Sequence, residues 1–210
     1  MPGGFFDFGG MPGMMGGGMP GMMGGKGKGM GKGQGQGRPA QPPTPPHAMP
    51  NGTQVTIRGL AKAQEHNGKT GRIMGWDSGK GRYEVEVDGD TTLSLRPSNL
   101  TQRTPVTITG IESQPELNGQ PGEIFNYEES QGRYMVRLKN KMKNGRDTVG
   151  LQPSNIILTT GVRVLTQGLS NEQFNGQMAQ IMAIDQEAMR YTVQCENGKQ
   201  IKIKFDNVLC

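Results

Sequence analysis

The densest run of charge in the sequence is Lys139-Asn140-Lys141-Met142-Lys143-Asn144-Gly145-Arg146, in which four cations follow one another with no acid among them. Ammonium and guanidinium groups at this density attract carboxylates or phosphates. Four charges make a small electrostatic footprint, however, and a solvated hairpin tip has the same composition. Trp76 and Tyr127 are the other residues equipped to recognise a ligand: an exposed ring stacks a base or clamps a peptide, and packing at the rim of a core is the competing use. Catalytic chemistry finds little to work with. Of the two histidines, His47 lies in a proline-rich stretch and His66 stands where equivalent segments carry Leu117 and Phe174. Cys195 takes an inward position on an alternating strand, which predicts a buried, inert thiol. Cys210 is predicted to be exposed and oxidisable, without a neighbouring base to activate it. These residues supply neither a disulfide framework nor a zinc site, which needs about four ligands. Gly25-Lys26-Gly27-Lys28-Gly29 lacks the order of a phosphate loop. The side chains therefore predict a non-catalytic protein with no metal and no cofactor.

An internal repeat must position these residues. Asn67-Gly68, Asn118-Gly119 and Asn175-Gly176 each precede a tyrosine by sixteen residues, at Tyr83, Tyr134 and Tyr191. Superposing the copies aligns Ile73 with Ile124 and Ile181, and Val85 with Val136 and Val193; with the tyrosines these are the predicted core. Segments such as Gln54-Val55-Thr56-Ile57-Arg58 and Arg82-Tyr83-Glu84-Val85-Glu86-Val87 alternate apolar and polar residues, the pattern of strands with one wet face. Five short strands in about fifty residues, with turn signals between them, predict a small barrel. The chain thus reads as all-β: a disordered tail and proline-rich linker over 1–50, then three tandem five-stranded barrels over 51–102, 103–159 and 160–210.

Differences between the copies carry information too. From Tyr134 to Asn155 is 21 positions, whereas Tyr83 to Asn99 and Tyr191 to Asn207 are both 16, so the four cations sit in a connection between two strands that is five residues longer than in the other copies. In the third copy Pro-Ser-Asn becomes Phe205-Asp206-Asn207, and Met189 replaces the glycine of Gly81 and Gly132. Asn67-Gly68 and its equivalents are expected to supply the positive backbone angles of a turn. Asp77 with Arg82, Glu128 with Arg133 and Asp185 with Arg190 are expected to pair across a hairpin.

The head is built from Gly, Met and Pro, as in Gly10-Met11-Pro12-Gly13-Met14-Met15-Gly16. Glycine costs the most backbone entropy to order and proline breaks both helix and sheet ladder, which predicts disorder. A plain flexible tail and a sticky, methionine-bearing contact tail are both consistent with it. The Pro-rich stretch 39–50 is expected to be an extended spacer. Lys26, Lys28, Lys32 and Arg38 against Asp7 alone leave 19 of the 23 basic and 17 of the 18 acidic residues to the repeats. The repeats are nearly neutral despite a pI of about 9.3. No window holds the ~20 apolar residues of a membrane span, and no signal or transit peptide is recognisable. The cytoplasm is the expected compartment, with the nucleus as the alternative.

The order Val55-x-Ile57-x-Gly59-Leu60, Asn67-Gly68-x-x-Gly71-x-Ile73, Asp77, Tyr83-x-Val85 resembles the motif of the KOW family and other Src-homology-3-like (SH3-like) barrels, in three copies covering 51–210. The same Asn-Gly-x-x-Gly and Arg-Tyr-x-Val pattern is similar to repeats in algal and other protist proteins. The resemblance implies small barrels that bind protein or RNA. Balanced charge places a protein partner first, with RNA as the alternative through Trp76, Tyr127, Lys139, Lys141, Lys143 and Arg146.

Overall fold

The computed structural model describes residues 43–210, so the reading of the Gly-Met-Pro head falls, for 1–42, outside the described residues. The first sheet comprises β1 (Gln54–Ile57), β2 (Thr70–Asp77), β3 (Arg82–Val87), β4 (Thr91–Leu95) and β5 (Leu100–Gln102), in the antiparallel order β4-β3-β2-β1-β5. The second runs through β6 (Thr104–Ile108), β7 (Pro121–Glu128), β8 (Arg133–Leu138), β9 (Thr148–Leu151) and β10 (Ile156–Leu158). The third is β11 (Arg163–Thr166), β12 (Met178–Asp185), β13 (Arg190–Cys195), β14 (Gln200–Lys204) and β15 (Val208–Leu209). Both repeat the order of the first, so the chain is all-β, as the alternation predicts. Strands form because every second residue is apolar and faces inward. Ile73, Ile124 and Ile181, the three aligned tyrosines and the three aligned valines are all at most 1% exposed.

The repeated asparagines tie each sheet shut, and they do so differently from expectation. Asn67 lies at φ −62, in extended backbone, and the positive angle belongs to Gly68 alone. The conserved task of the Asn side chain within the three copies is a two-point clasp. Asn67 accepts from Leu60 N–H at 2.9 Å and donates to Leu60 C=O at 3.0 Å; Asn118 does the same to Ile111 and Asn175 to Leu169. A second asparagine closes the other end of each sheet: Asn99 donates to Arg58 C=O and Gly59 C=O, Asn155 to Thr109 and Gly110, and Asn207 to Gln167 and Gly168.

The expected hairpin ion pairs do not form. Asp77 and Arg82 are register partners, yet Asp77 accepts from Lys80 N–H at 3.0 Å and pairs with Lys80 Nζ at 2.8 Å, while Arg82 donates to Ser94 C=O. Asp185 likewise accepts from Ala188 N–H, and Glu128 from Ser130 Oγ–H. A short acid is better placed to satisfy the orphan donors of its own turn than to reach across it.

Gly122 is forced by close packing: a Cβ there would stand 2.5 Å from Val136 Cγ1 and 3.1 Å from Arg137 C=O. Gly122→Ala is expected to destabilise the second sheet by about 1–3 kcal/mol through overpacking, measured by urea unfolding. The third sheet carries Ala179 at this position, opposite Cys195 instead of Leu138.

The sheets are held to one another through their tyrosines. Tyr134 Oη accepts from Cys210 N–H at 2.9 Å, and Tyr191 Oη accepts from Leu158 N–H at 2.9 Å, so the second and third sheets each seat the closing strand of the other. One continuous core results, running from Val106 to Cys210. Cys210 is therefore buried at 7% exposure, contrary to the expectation of an exposed thiol, and burial pushes its pKa up to about 12. On the first sheet the corresponding role falls to the linker. Tyr83 Oη accepts from Met49 N–H at 2.9 Å and donates to Met178 Sδ of the third sheet. Residues 45–49 are accordingly not an extended spacer: Ala48 N–H closes a turn on Pro45 C=O, and Ala48 and Met49 are buried against the first core. Two apolar side chains and a donor for a buried hydroxyl outweigh the stiffness of the prolines.

Candidate functional site

Lys139–Arg146 forms the tip between β8 and β9. Its backbone is ordered by Met142 N–H to Arg146 C=O at 2.7 Å, Gly145 N–H to Met142 C=O at 2.9 Å and Arg146 N–H to Asn144 Oδ1 at 3.0 Å. Met142 turns inward and packs on the core of the second and third sheets. That anchor leaves Lys139, Lys141, Lys143 and Arg146 exposed, and among the described residues none of the four enters an ion pair. Opposite the tip lies the 3-10 turn Pro115–Leu117, and between them runs a groove walled by Gln114, Glu116, Leu117 and Gln120 on one side and Lys141, Met142 and Lys143 on the other. Lys139 N–H donates to Pro121 C=O at 3.3 Å, which ties the start of the tip to β7. The arrangement offers a narrow apolar floor with cations along one lip.

Trp76 and Tyr127 are half-buried, and each lies against the tyrosine of its own sheet. Trp76 meets Tyr83 with centroids 4.6 Å apart, and Tyr127 meets Tyr134 at 4.9 Å, both tilted. Both rings pack at the rim of their own cores. In the third sheet Ile184 takes the equivalent position and Phe205 lies against Tyr191 instead, at 4.4 Å. The change from Pro-Ser-Asn to Phe-Asp-Asn is a replacement of the missing ring. The aromatics do not join the cationic tip: Tyr127 pairs with Tyr134 at one end of β8 and Lys139 follows its other end, about 16 Å away along the strand.

Other groups escape a reading of the sequence. Arg58 is only 8% exposed; its Nη1 pairs with Glu129 and its guanidinium lies 5.0 Å above the Tyr127 ring. Its signal was confined to one residue of a polar-looking strand end. On β13 and β14, Arg190 lies opposite Lys204 and Thr192 opposite Lys202, placing three exposed cations on one face of the third sheet. Met189 adopts φ +52, a left-handed conformation that a Cβ disfavours by about 1–2 kcal/mol. Met189→Gly, matching Gly81 and Gly132, is expected to stabilise the protein by about 1 kcal/mol, read as a rise in denaturant midpoint; an unchanged or lower midpoint would show that the exposed Met189 side chain contributes contacts of its own.

Among the described residues no three His, Cys, Asp or Glu side chains are grouped to hold a metal ion, and no helix is long and apolar enough to cross a membrane. No protein-family model matches the chain, and no curated protein matches it.

Proposed function

We propose that the protein is a non-catalytic scaffold of three SH3-like, KOW-like units, at 51–102, 103–159 and 160–210, that binds protein partners, with the groove beneath Lys139–Arg146 as a docking point for an acidic segment bearing apolar side chains. One observation carries this reading: Lys141 and Lys143, exposed and without ion pairs, stand over an apolar floor made by Leu117 and Met142, with the exposed Lys139 and Arg146 on the same tip. Such a lip and floor complement a peptide that alternates Glu with Leu. The cations supply steering and the floor supplies burial. Tight packing elsewhere leaves this loop free to carry recognition.

The test is the affinity of the full chain for a fluorescent Glu-Leu peptide, compared with a variant in which Lys139, Lys141, Lys143 and Arg146 are all changed to Gln. Binding is expected to weaken about tenfold, or about 1.4 kcal/mol, with no change in melting temperature. An unchanged affinity would exclude the groove. A second reading, an RNA backbone on the same unpaired cations, is separated by salt: four phosphate contacts give a slope of about −3 in log K against log salt for a single strand. Nuclease-sensitive recovery of every partner would favour that reading over the first.

A further inference from the structure

The linker, the first sheet and the third sheet meet around a cavity lined in part by His47, Arg58, Tyr83, Arg163, Met178 and Cys210. It leaves about 20 Å³ for the centre of a water-sized sphere, room for one water or one halide. Arg58 brings a buried guanidinium to this wall. Its Nη1 is taken by Glu129, but its Nε–H has neither an acceptor nor access to solvent. Arg163 brings a second guanidinium, whose partners are the carbonyls of Pro46 and Gly161 and no carboxylate. Burial accordingly holds the Arg163 pKa below its usual value.

The polar side chains of the lining are nearly all donors. Tyr83 O–H is directed to Met178 Sδ, and the Cys210 thiol, which burial keeps protonated, is directed to Gln102 C=O. Only His47, when neutral, presents an acceptor nitrogen. A water placed here would satisfy Arg58 Nε–H but would have to aim its own two hydrogens at apolar walls and at cations. An anion accepts from the unpartnered Arg58 Nε–H and needs to donate to no group. It would also offset the charge of Arg163, which no carboxylate within ion-pair distance neutralises.

We propose that this junction is a binding site for a single small monovalent anion of chloride size, held between Arg58 and Arg163, which fastens the linker and the first sheet to the third. The ligand belongs to none of the surfaces assigned above, and the proposal stands independently of the scaffold reading. Occupancy couples to stability because only the folded junction brings the two guanidinium groups together.

Crystals of the full chain grown in sodium bromide are the direct test, with one anomalous peak expected in hydrogen-bonding reach of Arg58 Nε; a water at that place, or an empty cavity, would overturn the assignment. In solution, the melting temperature is expected to rise and saturate with chloride or bromide, and to stay lower in gluconate at equal ionic strength. Arg163→Gln, which keeps an N–H donor at the place of Nε while removing the charge, is expected to weaken the halide response at least tenfold. Equal melting temperatures in chloride and gluconate, or a halide response undiminished in Arg163→Gln, would equally sink it.

Discussion

Tyr134→Ala is expected to destabilise the second and third sheets together, by about 3–5 kcal/mol, in a single transition. The ring is wholly buried, so its loss opens a cavity in the core that both sheets share. It also removes the acceptor for Cys210 N–H, which lies at the end of the closing strand of the third sheet. A buried amide left unpaired adds about 1–3 kcal/mol of its own. Tyr134→Phe separates the two effects, since it keeps the ring and deletes only the hydroxyl. Amide hydrogen exchange checks the coupling: protection in β8 and β13 is expected to fall in parallel. The fluorescence of Trp76, which lies in the first sheet and reports on the separate core around Val55, Ile57 and Tyr83, is expected to change least. Loss of protection confined to the second sheet would show that the reciprocal tyrosine contacts do not make one folding unit of the pair.

What the sequence made legible was whatever repeats within one copy. The spacing from Asn67 to Tyr83, recurring twice more, made the repeated strands and the Ile-Tyr-Val nucleus legible, because a sheet's inward positions follow from alternation alone. Contacts between copies leave no such trace. Nothing in the period shows that Tyr134 Oη receives Cys210 N–H, or that Met49 takes the same place on Tyr83, since a hydroxyl's partner across 76 or 34 residues is decided by packing. The cationic tip was visible because an insertion interrupts the repeat, but its groove was not: Leu117 and Gln120 come from a connection whose path depends on the 3-10 turn Pro115–Leu117. Asp77 misled for a related reason. Register put Arg82 opposite it, while its own turn offered the nearer donors.

Alkali is expected to unfold the protein cooperatively, and the sign follows from burial. Tyrosine ordinarily ionises near 10.0; desolvation raises Tyr83 to about 12 and lifts Tyr134 and Tyr191 as well, and it raises Cys210 from 9.0 to about 12. All four groups therefore hold their protons in the folded state at pH values where the unfolded chain has released them. The folded state then binds more protons than the unfolded state, so stability falls as pH rises. The contribution is intact below about pH 9 and is lost from the unfolded pKa values upward through the folded ones. Each group costs up to about 1.4 kcal/mol per pH unit, and four together about 5 kcal/mol per unit. A net stability of about 5–15 kcal/mol would be exhausted between roughly pH 11 and 12. Tyrosinate absorbance and Trp76 fluorescence, followed from pH 8 to 12.5, are expected to change together in one steep step. A gradual rise in the absorbance of all the tyrosines around pH 10, with Trp76 unchanged, would mean that the three aligned hydroxyls are in water and that the sheets are not joined through them.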